Sequence, residues 1–301
     1  MSSDVAELQQ ARYTWGGDEF LFVEVSEAMS LAANFKVMSM ASRLAAADLL
    51  GVVDICPANA SLLVRFDPDA LPPSDLEEAI RSIERELAHH HDHELETRII
   101  EVPVWYDDPF TADVAQRFRE GFHQEPGGTD IDFAAKVNHL QDATEFIRRH
   151  HEQPWLVSMV GFVAGLPFLF QLVEQEKQLE VPKYLSPRTD TPKLTVGHGG
   201  CFGCIYSVRG AGGYQMFGIA AAPIFDPAQS LADFKDFMVF FRPGDIVKFK
   251  PITEAEYRAI QTQVSDGTFR YRQAPVTFDL SKALADPERY NRELMEVLDR
   301  A

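Results

Sequence analysis

The chain has 301 residues, 46% hydrophobic and 25% charged, enough apolar material for one large or two modest cores and too much for a disordered or fibrous protein. Acidic residues outnumber basic ones, 46 to 28, for a formal charge of −18, a field that repels nucleic-acid phosphates and anionic membranes, so neither is an expected partner. Cys56, Cys201 and Cys204 are too few for a disulfide framework. The opening MSSDVAELQQAR has no basic stretch followed by an apolar one, so no signal peptide is expected and a reducing cytoplasm is the expected location.

In chain order, Arg12 to Thr14 and Glu19 to Val25 read as strands, FLFVEV being rich in residues that suit a pleated face. Ser26 is expected to open a long helix in which Met29, Ala32, Phe35, Met38, Leu44, Ala45 and Leu49 recur near a 3.6 period, with Gly51 ending it. Strands follow at Val52 to Ile55 and Ser61 to Phe66. Ser74 with Glu77 forms a capping box for a second helix, and TRIIEVPVWY is a further strand. The order β-α-β-β-α-β predicts a small ferredoxin-like α/β domain over residues 1–108.

Residues 109–153 read as a helical junction: DVAQRFREGF, DFAAKVNHL and DATEFIRRHH have half-apolar faces suited to packing across a domain boundary. Trp155 to Val173 is uncharged over the length of a membrane span and carries Gly161 and Gly165 at GxxxG spacing. It stands alone, contains Pro167 and lacks an aromatic and basic belt, so a buried strand running into a turn is expected. Over residues 154–252 short apolar runs alternate with Gly and Pro clusters, as in a β-barrel or sandwich. Residues 253–301 form a C-terminal extension in which TEAEYRAIQTQV is helical, TFRYRQAPVTFDL extended and DPERYNRELMEVLDR helical.

Three stretches carry candidate chemistry. HHHDH, from His89 to His93, sits at the polar end of a helix, where adjacent residues diverge and cannot converge on one ion; it and His150 and His151 read as solvated surface. VGHGGCFGCIYS holds His198, Cys201 and Cys204 as H-x-x-C-x-x-C, three of the four ligands zinc requires, with no second pair at convincing spacing. A redox pair would need a strand leading into a helix, which these flanks do not offer. The leading reading is a Gly-rich binding turn, in which Gly199, Gly200 and their neighbours offer backbone amides to an oxyanion and the cysteines are small wall residues. Just before it, Arg188 and Lys193 could hold a carboxylate or phosphate. Just after it, GAGGYQMFG brings Tyr214 and Gln215, and RPGDIVKF reads as a β-turn entering a strand. The chain contains no nucleophile elbow and no P-loop.

Taken in order, VGFVAGLPFL (Val160 to Leu169), SPR (Ser186 to Arg188), the Gly-rich turn ending in Ile205-Tyr206-Ser207, GGYQMFG (Gly212 to Gly218), PIFDP (Pro223 to Pro227) and RPGDIVKFKPI (Arg242 to Ile252) resemble the family of allophanate hydrolase subunit 1, which is also that of the B-type subunit of 5-oxoprolinase. The same unit is the C/D part of the carboxyltransferase domain of urea carboxylase. The resemblance implies an α+β chain, with a small N-terminal α/β domain followed by a cyclophilin-like β-barrel. It also implies an obligate A/B-half partner, with the active site shared between the two. Biotin on a partner subunit, with biotin carboxylase and biotin carrier subunits, is the implied cofactor arrangement; for an oxoprolinase-type hydrolase it is ATP and Mg, and a third member type is a regulatory kinase inhibitor. On the carboxyltransferase reading Arg188, Gln215 and Tyr206 are the expected catalytic residues. Lys193, His198, Gly199, Gly200, Cys201, Cys204 and Tyr214 are then expected to line the substrate. Relative to the family pattern a Gln becomes Phe202 and an Arg becomes Ile219, which removes polar groups suited to 5-oxoproline. The long C-terminal extension is similar to that of members that accompany biotin subunits.

Overall fold

The computed structural model describes residues 10–89 and 94–301, and the histidine-rich run lies outside the described side chains. The chain forms two compact units, the first running to Leu95 and including Phe278–Ser281, the second made of Glu96–Thr277 and Lys282–Ala301. The first contains β1 (Arg12–Trp15), β2 (Phe20–Glu24), α1 (Leu31–Ala46), β3 (Val52–Pro57), β4 (Ser61–Phe66) and α2 (Pro73–His89). Its sheet runs β1-β2-β4-β3, antiparallel throughout. Leu21 and Val23 alternate on β2, and Leu62, Val64 and Phe66 on β4, so a single face receives Val37, Met40 and Leu44 of α1 and Leu76 and Ile80 of α2. This keeps the ferredoxin-like core, but the fourth place, beside β2, is taken by β1 rather than by the strand after α2. α1 also starts later than expected. Ser30 caps it, accepting from Ala33 N at 3.1 Å, while the Ser26 hydroxyl accepts from Ala28 N in a local turn.

TRIIEVPVWY lies in β5 (Glu94–Tyr106), which joins the second unit instead. Ile99, Ile100, Val102 and Val104 are all fully buried, and a strand buried on both faces requires cover that a small one-sided sheet does not provide. After β5 come α3 (Pro109–Arg117), α4 (Asp130–Val137), α5 (Ala143–Glu152), β6 (Trp155–Val160), β7 (Pro167–Gln171), β8 (Arg188–Thr191), β9 (Thr195–Gly199) and β10 (Phe202–Ile205). Then follow β11 (Gly210–Gly212), β12 (Gln215–Ala220), β13 (Ile246–Pro251), α6 (Glu254–Ser265), β14 (Gln273–Asp279), α7 (Leu280–Ala285) and α8 (Pro287–Asp299). Seven strands close a barrel in the order β12-β9-β10-β7-β6-β13-β5, with β5 returning to β12 and β14 flanking β5. The span-like stretch is the β6–β7 hairpin, and among the described residues no helix is long and apolar enough to cross a membrane. The three helices expected at a domain junction pack on the barrel, where Phe133 and Phe146 share a core with Trp155, Phe217 and Phe249.

Closure is made where Gly218 faces Tyr106, Ile219 faces Trp105 and Ala220 faces Val104. A Cβ on Gly218 would lie 2.5 Å from Trp105 O and 2.9 Å from Tyr106 Cα, both backbone atoms. The barrel interior also holds two wholly buried histidines, His150 and His198, with ring centroids 6.4 Å apart. His150 was expected at the surface. It goes inside because it lies four residues after Phe146 on the same face of α5, and its Nδ1 sits 2.8 Å from the Tyr106 hydroxyl. Burial pushes the His198 pKa down to about 4 and His150 well below its ordinary value, so both are neutral in the folded chain.

Two outcomes are expected. Gly218→Ala should lower the urea midpoint of the barrel unit by the equivalent of about 1–3 kcal/mol, because backbone has to move to admit the methyl group; an unchanged midpoint refutes the closure argument. The unfolded chain protonates each histidine near pH 6.5. Stability held by their neutral forms is therefore full above that pH and falls as pH drops towards 4, by up to about 1.4 kcal/mol per pH unit for each. The melting temperature of His198→Gln, followed from pH 7 to 4.5, should fall less steeply than that of the wild type; parallel curves would show that His198 does not titrate on unfolding.

Candidate functional site

β9 and β10 form a tight hairpin whose tip is Gly200 and Cys201. Both strands are interior to the sheet, β9 between β12 and β10 and β10 between β9 and β7, so their backbone amides are committed to ladders. At the tip, Gly200 N donates to Val181 O at 2.7 Å. The expected oxyanion nest is therefore not formed by this turn. The glycines do something else. A Cβ on Gly199 would fall 2.3 Å from the Tyr214 ring, and one on Gly212 would fall 2.4 Å from the Tyr206 hydroxyl. Bare backbone lets the two phenol rings lie flat against the strands.

The register also separates the H-x-x-C-x-x-C side chains. Gly203 faces His198 and Cys204 faces Gly197, so His198 and Cys204 point to opposite sides of the sheet. His198 lies inward, its ring 5.7 Å from that of Trp155, and its Nε2 is 3.1 Å from Gly200 O. Cys204 lies on the other side with Leu166 and Tyr206. One ion cannot bridge them. Burial raises the Cys204 and Cys201 thiols above their ordinary pKa, which keeps both as poor nucleophiles.

Arg188 opens β8, opposite Gly212 on β11, and is completely buried. Its Cζ stands 4.3 Å from the centroid of the Tyr184 ring, and Nη2 makes a long 3.4 Å contact with Thr191 Oγ1. Nε and Nη1 make no well-formed hydrogen bond, although the Tyr206 hydroxyl lies close enough for Arg188 to favour its ionised form, and among the described residues no carboxylate pairs with this guanidinium. The Tyr206 phenol lies in its field, and burial raises the pKa of that phenol despite the nearby cation. Burying a guanidinium without a counter-charge is disfavoured by several kcal/mol.

The other expected residues divide. Tyr206 and Tyr214 stand with Arg188, Tyr206 accepting a 3.4 Å hydrogen bond from Tyr214 N. Lys193 is exposed, its Nζ 3.5 Å from Phe225 O, and does not enter the buried cluster. Gln215 is buried with its amide fully used: Oε1 meets His123 Nε2 at 2.9 Å and Nε2 donates to Pro182 O at 2.9 Å. It is thus a tether rather than a group free to orient an acceptor. Beside it runs a buried network that the sequence reading did not single out. Asp130 accepts from the Tyr184 hydroxyl at 2.8 and 2.9 Å, from Met216 N at 2.8 Å and from Arg119 at 3.1 Å. Burial lowers the His123 pKa, with the Arg119 charge adding to it. Tyr184 could have been noticed, four residues before Arg188. Arg119 and Asp130 are eleven residues apart across a Pro-Gly-Gly loop, and no local pattern joins them.

The family described as carboxyltransferase domain, subdomain C and D, matches residues 11–234. The B-type subunit of 5-oxoprolinase from Bacillus subtilis is 28% identical over 256 residues, 82% of this chain and 95% of that protein. Urea amidolyase of Saccharomyces cerevisiae is 24% identical over 270 residues, 89% of this chain but 15% of the larger protein. The crystal structure of the Kluyveromyces lactis urea carboxylase shares the fold, with a TM-score of 0.81 at 24% identity over 97% of this chain and 26% of that one. The chain thus spans nearly all of one relative and a minor part of the other two, and these relatives are enzymes or components of enzymes. With the closed barrel, the separate small sheet and this match over most of its length, the chain belongs to the carboxyltransferase C/D-subdomain family.

Proposed function

We propose that this chain is the C/D half of a heteromeric, biotin-dependent carboxyltransferase that acts on a small amide or related acceptor, its active site completed by an A/B-half partner. The observation that carries the reading is Arg188: a wholly buried guanidinium with no paired carboxylate suits a carboxylate, the group that a carboxylated biotin on a partner subunit presents. In the transfer, the bond from biotin nitrogen to the carboxyl carbon breaks as the acceptor nitrogen bonds that carbon, and the proton lost by the acceptor nitrogen returns to biotin. Arg188 would hold the carboxyl group and offset its charge. Tyr206 and Tyr214, protonated at neutral pH, would exclude water and wall the site.

The C-terminal extension favours this reading over the oxoprolinase one. β14 flanks β5, and α8 anchors to the barrel through buried Asn291, which donates to Leu172 O. Apart from Phe278–Ser281, the extension belongs to the barrel unit, and the shared fold with urea carboxylase extends over nearly the whole chain. A second reading, a subunit of an ATP- and Mg-dependent lactam hydrolase, is favoured by the near-complete coverage of the B-type oxoprolinase subunit. Ile219, where the family carries an Arg, is an apolar barrel residue here, and Phe202 packs edge-on to Phe168 and tilted against Phe170. Neither could serve a lactam as the polar residues would.

Affinity purification of the tagged chain from its own cells should bring down a biotinylated protein, and the complex should carboxylate an amide with ATP and bicarbonate. Lactam-dependent ATP hydrolysis by a complex without biotin would overturn the reading in favour of the second. Arg188→Met should leave the chain as stable as the wild type or more stable, by about 1–4 kcal/mol, since it removes an unpaired buried charge. The same change should lower activity of the complex by about a hundredfold. Loss of stability with activity retained would show that Arg188 is structural.

A further inference from the structure

We propose that Asp130 is a positioning residue for Arg188 and acts through Tyr184, so that a carboxylate at the head of α4 fixes the orientation of a guanidinium it does not touch. Its part in the reaction rests on the reading of Arg188 given above; the coupling itself rests on geometry.

Arg188 depends on support from outside its own strand. It is wholly buried, no carboxylate among the described residues pairs with it, and the contact of Nη2 with Thr191 Oγ1 is long, at 3.4 Å. A planar cation with so weak a polar anchor turns about its side-chain bonds unless something covers its face. Tyr184 covers it. Cζ lies 4.3 Å from the centroid of that ring, and among the described residues no other ring lies over this guanidinium.

The covering ring is itself held. Tyr184 N donates to Gly213 O at 2.7 Å, and the ring meets that of His123 edge to face, with centroids 4.7 Å apart. These contacts place the backbone and one side of the ring. The far end is set by the hydroxyl, which donates to both oxygens of Asp130, at 2.9 and 2.8 Å. Asp130 is anchored in turn: Met216 N donates to Oδ2 at 2.8 Å, and Arg119 Nη2 lies 3.1 Å from Oδ1. The carboxylate is thereby tied to β12 and to the segment after α3, and Tyr184 inherits that rigidity.

Electrostatics act in the same direction. A phenol that donates to a carboxylate gains electron density in its ring, and such a ring holds a cation more firmly. Arg119 balances the Asp130 charge at a distance, so what reaches Arg188 is the local polarisation of the ring and its fixed orientation. Asp130 in this way supports Arg188 without occupying any of its N–H groups, which a direct ion pair would do.

The test reads the Arg188 guanidinium by NMR in the full chain made with isotope-labelled arginine, the signals being assigned by their loss in Arg188→Met. Tyr184→Phe keeps the ring and removes the hydroxyl. It should shift these signals and speed guanidinium rotation by about tenfold, the equivalent of one hydrogen bond to a charged group. Asp130→Asn should do the same, since a neutral amide is the weaker acceptor. The two changes together should do no more than either alone, because one acts through the other. A purely structural Asp130 would lower the melting temperature and leave the Arg188 signals unmoved; that result, or additive effects in the double variant, overturns the proposal. In the assembled complex both variants should lower kcat by about tenfold at a nearly unchanged KM. Wild-type rates in both, with Arg188→Met inactive, would overturn the positioning role and keep the carboxyltransferase reading. Altered Arg188 signals in a complex that carboxylates no amide would keep the coupling and remove that reading.

Discussion

The contact between β12 and β5 is made by nearly bare backbone, Gly218 against Trp105 and Tyr106, and that approach turns an open sheet into a closed barrel. Much follows from it. β12 carries Gln215 and Met216, which bind the His123 and Asp130 network, so the helices α3 and α4 are drawn onto the barrel through the same strand that seals it. β12 also pairs with β9, placing the Gly197 to Gly199 backbone under the Tyr206 and Tyr214 rings. A side chain at Gly218 would force β12 and β5 apart and disturb both sets of contacts.

Two buried guanidiniums with idle donors flank Tyr184, and their electrostatics differ. Arg188 has no counter-charge and sits among phenol rings whose protons burial retains, so it suits a carboxylate. Arg119 is already balanced by Asp130, 3.1 Å away, and only its Nη1 is left without a partner. Folding gains little from the three unpartnered guanidinium nitrogens, since each loses water without a replacement.

The local rules worked where local physics decides. Alternation located β2 and β4, TEAEYRAIQTQV falls in α6 behind a capping box of Thr253 and Glu256, and the Gly244 turn before β13 closes through Asp245 N to Arg242 O. They failed where two signals of one kind competed. Ser26 and Ser30 both suit a helix start, and which one caps depends on where Ala33 and Val37 meet the sheet. His150 looked polar beside His151, yet its spacing from Phe146 turns it inward. VGHGGCFGCIYS was legible as a glycine-dependent close approach, but the partner of that approach, two tyrosine rings rather than an oxyanion, was not.

Composition, periodicity and motif order by themselves determined that this is an α+β chain with a small N-terminal sheet and a later β-rich unit, that Trp155 to Val173 enters a core rather than a membrane, and that Arg188 and its neighbours are special. Those are properties of short windows and of residue chemistry. Tertiary structure alone decided that β5 leaves the N-terminal unit for the barrel, that Arg188 is dry and unpaired while Lys193 is wet, that His198 and Cys204 face opposite ways, and that Arg119 meets Asp130. Each of these depends on which strands pair and in what register. A shift of one residue exchanges inside for outside, and no window along the chain records the far strand that sets it.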